Sequence, residues 1–316
     1  MAHWTAADIP DLSGKVALVT GANTGLGFEE SLELAKHGAR VLLAARNPEK
    51  GAAAIARLRD RVPGANVELV SLDLADLDSV RALAADLTGR LDRLDLLLNN
   101  AGVMAPPQRR TTAQGFELQF GTNHLGHFAL TGLLLPLLSA TEGARVVTLS
   151  SFMHKLGRLN FDDLQSERFY TPYFTYSTSK LANAVFTLEL DRRLRAAGLG
   201  VLSVGAHPGY SATELQTSGP SLAGGGPLAR LNGKVTGLVT PFVAQSAPRG
   251  AEPALRAATD PAVRGGEYYG PNLEFRGHPV RARYISRAHD ESAGERLWAA
   301  SARLTAVEYP RPAAPR

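Results

Sequence analysis

Short apolar runs alternate with amphipathic segments along the chain, and this alternation limits the fold more than any other feature of the sequence. Strands are predicted at 15–20, 40–45, 67–72, 94–99, 145–150 and 201–206. Helices are predicted at 26–37, 49–61, 76–91, 112–138 and 172–197. This order is typical of a parallel sheet with helices on both faces. No repeat or linker divides the 316 residues. We therefore expect one α/β domain over 1–316, with a doubly wound sheet of about seven strands.

A glycine-rich turn follows the first predicted strand. The stretch TGANTGLG (20–27) places Gly21, Gly25 and Gly27 between a strand and a helix. Glycines let the backbone approach a pyrophosphate, and the N-terminus of the helix supplies N–H donors. The spacing G-x-x-x-G-x-G differs from the usual dinucleotide fingerprint. A tight turn that merely needs flexible residues is the alternative, but the position after the first strand favours a phosphate site.

The end of the second predicted strand bears on the type of dinucleotide. Sites that prefer NAD usually carry an acidic residue there, which binds the 2′-hydroxyl of the ribose. This chain has Ala44, Ala45 and Arg46 instead. No carboxylate would repel a 2′-phosphate, and a guanidinium can pair with one through two hydrogen bonds. The sequence thus predicts NADP(H) in preference to NAD(H), unless Arg46 is simply a surface residue.

Polar side chains recur where the later strands end. Ligands bind beyond the carboxyl ends of parallel strands, so these residues are expected to meet although they are distant in sequence. They are Asp73, Asn99, Asn123, Ser150, Ser151, Tyr176 and Lys180.

At this point the chain resembles the classical short-chain dehydrogenases/reductases. The motifs that carry the resemblance are TGANTGLG, NNAG (99–102), TNHLGHF (122–128), TLSS (148–151), YSTSK (176–180) and PGYSAT (208–213). They span about residues 14–213. NHLGHF, SSFMHKLGR and YSTSKLAN together look most like the branch of the retinol dehydrogenases and protochlorophyllide reductases. The resemblance implies a single-domain Rossmann fold and a hydride-transfer enzyme.

The resemblance also implies catalytic roles. Tyr176 would be the general acid/base, with a pKa lowered by the Lys180 ammonium, and Ser151 would donate a hydrogen bond to the substrate oxygen. Asn123 would hold a water that links Lys180 to solvent; a polar residue that satisfies helix backbone is the less favoured alternative.

Further residues are expected to bind the cofactor. The phosphate loop, the adenine site and the nicotinamide site would be formed by Gly21, Asn23, Thr24, Gly25, Leu26, Gly27, Arg46, Asp73, Leu74, Asn99, Ala101, Gly102, Tyr176, Lys180, Pro208, Gly209 and Thr213.

The expected substrate is a hydrophobic ketone or secondary alcohol. Phe152, Met153, Tyr173 and Tyr210 are the candidate substrate residues, and an apolar segment at about 214–248 would be a lid over them. Core packing explains that segment equally well. Residues 265–275 would close one side of the pocket or pack in the core. The C-terminal extension at about 276–316 is rich in arginine and is expected to be a solvated basic tail, not a nucleic-acid site.

Composition excludes some chemistry. The chain has no cysteine, so it has no disulfide and no thiolate nucleophile. Four of its eight histidines could suggest a metal site, but they lack a metal-ligand spacing, so no metal site is expected, and we place these four behind the site or at the surface. They are His124, His127, His154 and His207.

Location and assembly are less constrained. No secretory signal is recognisable, and the apolar run 128–140 is too short to span a membrane, so a cytoplasmic location is expected. The helices at 112–138 and 172–197 suit a homodimer or homotetramer as in the family, but burial within one subunit would explain their apolar faces too. A catalytically silent NADP(H)-binding sensor or scaffold is the alternative function.

Overall fold

The architecture is a single eight-stranded sheet between two layers of helices. The computed structural model describes residues 3–210 and 245–310. The strands are β1 (Val16–Thr20), β2 (Arg40–Ala45), β3 (Val67–Ser71), β4 (Leu96–Asn99), β5 (Arg145–Leu149), β6 (Leu202–Ala206), β7 (Tyr268–Pro271) and β8 (Pro279–Arg281). Their order is β3-β2-β1-β4-β5-β6-β7-β8, and all neighbours are parallel except β7 and β8.

The helices alternate with the strands as the sequence predicts. They are α1 (Gly25–Lys36), α2 (Pro48–Arg61), α3 (Leu77–Arg90), α4 (Gly126–Ser139), α5 (Pro172–Ala196), α6 (Ala247–Thr259) and α7 (Glu291–Thr305). Side-chain caps explain several starts. Asn47 accepts from the N–H of Lys50 at 2.8 Å, and Asp290 accepts from that of Ala293 at 3.1 Å.

Two apolar clusters cover the two faces of the sheet. Successive residues of a strand point to opposite faces, so Leu18 lies in one cluster and Val19 in the other. The first cluster joins the sheet to α3, α4, α5 and α7, and the second joins it to α1, α2 and α6. Burial on both faces confirms the doubly wound arrangement. The sheet has one strand more than the predicted seven, because the short strand β8 adds an antiparallel edge.

The helix predicted at 112–138 begins later than expected. Thr111 bridges Glu117, and Gly115 has a φ of 83°, so the chain turns tightly there. A single helical turn at Leu118–Phe120 follows, then a π-helical turn at Gly121–Leu125, and only then α4. The apolar pattern alone could not show this change in helical pitch.

The expectation of a solvated C-terminal tail was wrong for the residues described up to 310. They form β8 and α7, and Leu297 and Trp298 are buried. The indole of Trp298 packs edge-on against Phe128 with ring centroids 5.1 Å apart, and the Tyr309 hydroxyl donates to the Phe128 carbonyl at 2.7 Å. The extension therefore covers the apolar run of α4 inside one subunit.

Part of the predicted lid lies outside the described residues. Residues 214–244 and Thr213 are not described, while Ala247 and Pro248 already belong to the first turn of α6. Within 3–210 and 245–310, no helix is both long and apolar enough to cross a membrane.

Candidate active site

The glycine-rich turn between β1 and α1 is packed too closely for side chains. Gly21 and Gly25 have φ values of 65° and 59°, which favour glycine. A Cβ on Gly27 would lie 2.5 Å from the side-chain nitrogen of Asn100 and 2.7 Å from the carbonyl oxygen of Gly21. The turn thus leaves backbone exposed at the start of α1, which is the arrangement that cradles phosphate groups. Gly27 itself lies behind this surface and does not line the cleft.

A cleft of about 440 Å³ opens in front of this turn. Ten of the predicted cofactor residues line it: Gly21, Asn23, Thr24, Gly25, Leu26, Arg46, Asp73, Leu74, Ala101 and Gly102. The cleft runs from the end of β2 across the ends of β1 and β4, as expected for a dinucleotide site at the reversal of strand order. Its shape and its exposed backbone fit a dinucleotide.

Other lining residues were missed from the sequence. They are Ala44, Asn47, Lys50, Leu72, Asn100, Val103, Met104, Pro106, Leu118 and Thr122. Lys50 is the most informative, because it adds a second cation to the end of the cleft that holds Arg46. Its place in the first turn of α2, four residues after Arg46, was the available signal.

Asn99 does not line the cleft, whereas Asn100 does, and the cofactor-binding role of Asn99 stays a prediction. Asn99 ends β4 with a fully buried side chain that donates to the Thr131 hydroxyl at 3.0 Å. Side chains alternate along a strand, so the next residue faces the other way. The Asn100 side chain donates to the Thr20 carbonyl at 2.7 Å and so ties the NNAG turn to the phosphate loop.

Pro208 and Gly209 follow β6 but do not line the cleft. Gly209 has a φ of 65°, and the Pro208 carbonyl accepts from the side chain of Gln245 at 2.6 Å. Thr213 lies outside the described residues. The expected nicotinamide-binding role of these three residues stays a prediction.

The catalytic candidates converge at the inner end of the cleft. Ser151, Tyr176 and Lys180 are buried but retain a few per cent of exposure. The Lys180 amine lies 5.8 Å from the centre of the Tyr176 ring and donates to the Leu149 carbonyl at 3.0 Å. A methyl group on Gly102 would lie 3.6 Å from that amine, so the catalytic group adjoins the cleft lining.

The two adjacent serines have different hydrogen-bond roles. The Ser150 hydroxyl donates to the Lys180 carbonyl at 2.7 Å, so its proton is committed to the protein. The Ser151 oxygen instead accepts from the N–H of Met153 at 3.2 Å, which leaves its proton to be donated. Ser151 is also near enough to the Tyr176 phenol to lower its pKa. This geometry supports Ser151 as the donor to a substrate oxygen.

Burial dominates the acid–base properties of the pair. It raises the pKa of Tyr176 to about 12, and the hydrogen bond from Ser151 offsets part of this rise. It also lowers the pKa of Lys180 to about 8. Burial thus outweighs other effects on the Tyr176 pKa, and the Lys180 amine bonds the Leu149 carbonyl. The lowering of the Tyr176 pKa by Lys180 stays a prediction.

The side chain of Asn123 bonds the backbone of Val103, directly after the NNAG turn. Its side-chain oxygen accepts from the N–H of Val103 at 2.7 Å, and its side-chain nitrogen donates to the Val103 carbonyl and to the Ser179 hydroxyl at 3.0 and 2.9 Å. Both amide protons are thus used within the protein. The water-holding role expected for Asn123 stays a prediction. The contacts shown here position the NNAG loop against α5.

The candidate substrate residues lie around the catalytic groups. Phe152 and Met153 directly follow Ser151, and the Phe152 ring packs edge-on against Phe275 at 5.0 Å. Tyr173 lies one helical turn before Tyr176 and is exposed. Tyr210 donates its N–H to the Phe275 carbonyl at 2.8 Å. Within 265–275, Tyr268 packs in the core and Phe275 contacts Phe152. Closure of the pocket by this segment stays a prediction.

The four candidate histidines are all buried, so the surface alternative was wrong for them. His127 bridges the carbonyl of Asn123 and the hydroxyl of Thr20, each at 3.0 Å. Burial lowers the pKa of His127 to about 4, so its ring is neutral. Across the described ranges, no group of three or more potential ligands could hold a metal ion.

The family model described as short chain dehydrogenase matches residues 15–221. The chain belongs to this family of oxidoreductases. The strands β1–β6, the glycine turn and the Ser–Tyr–Lys arrangement all lie within the matched region.

Within the family, the chain falls in the retinol dehydrogenase-like branch. It is 39% identical to retinol dehydrogenase 12 of Mus musculus over 300 residues, which cover 94% of this chain and 88% of that protein. It is 40% identical to retinol dehydrogenase 13 of Homo sapiens over 302 residues, 95% of this chain and 87% of that protein.

A solved structure of similar shape and sequence comes from Mycobacterium paratuberculosis, where it is described as an uncharacterized protein. It is 41% identical, covers 98% of this chain and all of the other, and superposes with a TM-score of 0.80. A short-chain dehydrogenase from Shigella flexneri, solved in complex with NADP, shares the fold with a TM-score of 0.63 at 22% identity, over 82% of this chain and 98% of the other.

Proposed function

We propose that the protein is an NADP(H)-dependent oxidoreductase that acts on a carbonyl or alcohol group of a hydrophobic substrate. The observation that carries the proposal is the convergence of Ser151, Tyr176 and Lys180 beside a cleft lined by the glycine turn. Membership of the dehydrogenase family supports the reaction type. The particular substrate, the cofactor preference and the role of Tyr176 are proposals.

The chain's own residues provide the proton transfer. In the reductive direction, the Tyr176 hydroxyl donates its proton to the substrate oxygen, and Ser151 donates a hydrogen bond to the same oxygen as charge develops. Lys180 then stabilises the phenolate left on Tyr176. When bound, the cofactor supplies or accepts the hydride, and its oxidised ring adds positive charge that favours the phenolate. Burial of all three side chains keeps these interactions strong.

Arg46 and Lys50 support a preference for NADP(H). Both line the cleft at the end of β2, and the one carboxylate in the cleft lining, Asp73, comes from the end of β3 and not from β2. We expect Arg46→Ala to raise the KM for NADPH by about 10-fold or more, because a charge-assisted pair with the 2′-phosphate is lost. The KM for NADH should change by less than about twofold, since NADH lacks that phosphate. Steady-state kinetics with both cofactors make the comparison, and an equal effect on both would contradict the preference.

Exposed apolar side chains support a hydrophobic substrate. The large apolar side chains exposed in the described residues all lie either in 156–174, between Ser151 and Tyr176 in the chain, or in 273–275, where Phe275 contacts Phe152: Leu156, Phe169, Tyr173, Phe174, Leu273 and Phe275. Relatives named retinol dehydrogenases suggest polyene aldehydes and alcohols as one class to include. We propose an apolar ketone, aldehyde or alcohol.

The test is a turnover assay. The purified protein is mixed with NADPH and a panel of apolar ketones and aldehydes, including retinal, and with NADP⁺ and the matching alcohols. Steady change in NADPH absorbance with at least one apolar substrate is expected. Cofactor binding without turnover across the panel would favour the sensor or scaffold alternative. The cytoplasmic location and the homodimer or homotetramer stay predictions.

A further inference from the structure

Ser151 is held on two sides by the short 3-10 turn that follows it, Phe152–Leu156. The hydroxyl oxygen of Ser151 accepts from the N–H of Met153 at 3.2 Å. Its carbonyl accepts twice from His154, from the backbone N–H at 3.0 Å and from the ring nitrogen Nδ1 at 2.6 Å. The serine that faces the substrate therefore depends on His154 for its backbone orientation.

The partners of His154 fix the position of its ring proton. A carbonyl oxygen can only accept, so Nδ1 must carry the proton that reaches Ser151. The other ring nitrogen, Nε2, lies 3.4 Å from the backbone nitrogen of Ile285, which can only donate. Nε2 is therefore unprotonated, and the ring is neutral. This agrees with burial, which lowers the pKa of His154. The charges of Lys155 and Arg287 also lower that pKa, whereas the Glu274 carboxylate raises it.

His154 also connects the catalytic serine to the C-terminal segment. Ile285 follows β8, and the Arg287 guanidinium donates to the Lys155 carbonyl at 2.6 Å, which adds a second link to the same turn. The Tyr268 ring of β7 packs edge-on against the imidazole at 5.6 Å. The imidazole thus lies between the serine and residues of the C-terminal segment, which follows the sequence motifs of the first 213 residues.

Simple filling of the core does not account for this geometry. The Ser151 carbonyl would keep the backbone N–H of His154 if the ring were removed, so the ring bond is not needed to satisfy it. The ring adds a second hydrogen bond to the Ser151 carbonyl and so further restricts the backbone of Ser151, whose hydroxyl lies near Tyr176.

We propose that His154, as the neutral Nδ1–H tautomer, is a positioning residue that orients Ser151 for hydrogen bonding to the substrate oxygen and ties it to Ile285. This inference deepens the proposed function and rests on it for the effect on turnover. The tautomer itself does not depend on the reaction.

The first test needs no substrate. Long-range nitrogen–proton NMR spectra of histidine-labelled protein distinguish the two neutral tautomers. His154 should show a protonated Nδ1. His207 provides an internal contrast, because its Nδ1 accepts from the N–H of Gly209 at 3.3 Å and should be unprotonated. A His154 ring protonated at Nε2, or on both nitrogens at neutral pH, would overturn the proposal even if the enzyme is active.

The second test separates positioning from folding. His154→Asn keeps a side-chain N–H near the Nδ1 position, whereas His154→Leu removes it and keeps similar bulk. We expect His154→Leu to lower kcat by about 10-fold and His154→Asn by less than about threefold, with little change in the Kd for NADPH. In a Ser151→Ala background, His154→Leu should change kcat by less than about twofold, because its effect passes through Ser151.

Each outcome decides between the two roles. An equal loss from His154→Leu with and without the Ser151 hydroxyl would show a merely structural residue and overturn the proposal. If His154→Leu fails to fold, His154→Asn is compared in the wild-type and Ser151→Ala backgrounds. A loss of kcat of about 10-fold or more in His154→Asn would then overturn the proposal. If the wild-type protein shows no turnover, the proposed function fails, while the NMR result still decides the link from His154 to Ser151.

Discussion

The charge of Lys180 should control the pH dependence of reduction. Burial lowers the pKa of Lys180 to about 8, which leaves the amine protonated at neutral pH. As the pH rises through 8, the ammonium loses its charge and no longer stabilises the phenolate that forms on Tyr176. We expect kcat for carbonyl reduction to fall above about pH 8. A kcat–pH profile at saturating NADPH measures this.

The matched variant is Lys180→Arg, whose guanidinium stays charged over the accessible range. It should lower kcat overall but move the alkaline fall to roughly pH 10 or above. A fall that stays near its wild-type pH in Lys180→Arg would show that another group titrates.

At the level of single residues, sequence motifs located the candidate catalytic set but not every contact. Ser151, Tyr176 and Lys180 meet as expected from their positions at strand ends and on α5. Asn99 was assigned to the cleft because its motif matched, yet the alternation of side chains in β4 turns it into the core. The pKa of Tyr176 could not be predicted either, because burial depends on packing from distant segments.

At the level of elements, the tight contact between α1 and the NNAG turn makes Gly27 indispensable. A methyl group there would meet the backbone of Gly21 and Ala22 and the side chain of Asn100 within 3.0 Å. We expect Gly27→Ala to lower the melting temperature and to weaken NADPH binding by about 10-fold or more, because the phosphate turn must shift. Thermal denaturation and fluorescence titration with NADPH measure the two effects.

Gly89 is the matched control, since it also lies in a helix but has open space around its Cα. Gly89→Ala should leave NADPH binding unchanged and stabilise the protein by up to about 1 kcal/mol, because alanine favours the helix. Equal behaviour of the two variants would contradict the proposed role of the close contact.

The element pattern was predictable where periodicity is strong. The strands up to β6 and the helix at 172–196 match the sequence prediction within a few residues. The π-helical turn at Gly121–Leu125 was not, because it differs from an α-helix only in hydrogen bonding and leaves the apolar pattern intact. That turn places Asn123 against Val103, so an undetected irregularity forms part of the site.

At the level of the whole molecule, a buried carboxyl group should make stability depend on pH. Glu30 in α1 is fully buried, and neither of its carboxylate oxygens has a partner among the described residues. Burial raises its pKa from 4.5 to about 8. The folded state thus holds a proton that the unfolded chain releases above about pH 4.5, so stability falls as the pH rises from there to 8.

Glu30→Gln removes this titration while keeping the shape of the side chain. We expect the substitution to change the free energy of unfolding more favourably at pH 8.5 than at pH 5, by roughly 2–4 kcal/mol. Urea denaturation of both proteins at the two pH values measures this difference. Glu29→Gln is the control, because its carboxylate faces Arg61 at 3.4 Å and is not buried. A pH-independent effect of Glu30→Gln would contradict the buried, protonated state.

The C-terminal third was the least predictable part of the molecule. Its arginines suggested a solvated tail, but Leu297 and Trp298 anchor it to α4, and Ile285 reaches His154 beside the catalytic serine. The composition of this segment is dominated by its exposed arginines, whereas its packing against the rest of the molecule depends on a few buried side chains. The core and part of the active site are thus completed by residues outside the recognisable motifs.

The most direct test of the account is the effect of Tyr176→Phe on kcat for an apolar carbonyl, measured together with the Kd for NADPH. Removing the phenol hydroxyl should lower kcat by about 10³-fold and leave the Kd within about twofold, because the proton donor is lost and the cleft is intact. The control is Tyr269→Phe in β7, which removes another tyrosine hydroxyl. That hydroxyl donates to the Glu267 carboxylate at 2.7 Å, and its loss should leave kcat at the wild-type value. A Tyr176→Phe variant that retains more than about one tenth of wild-type kcat would contradict the account.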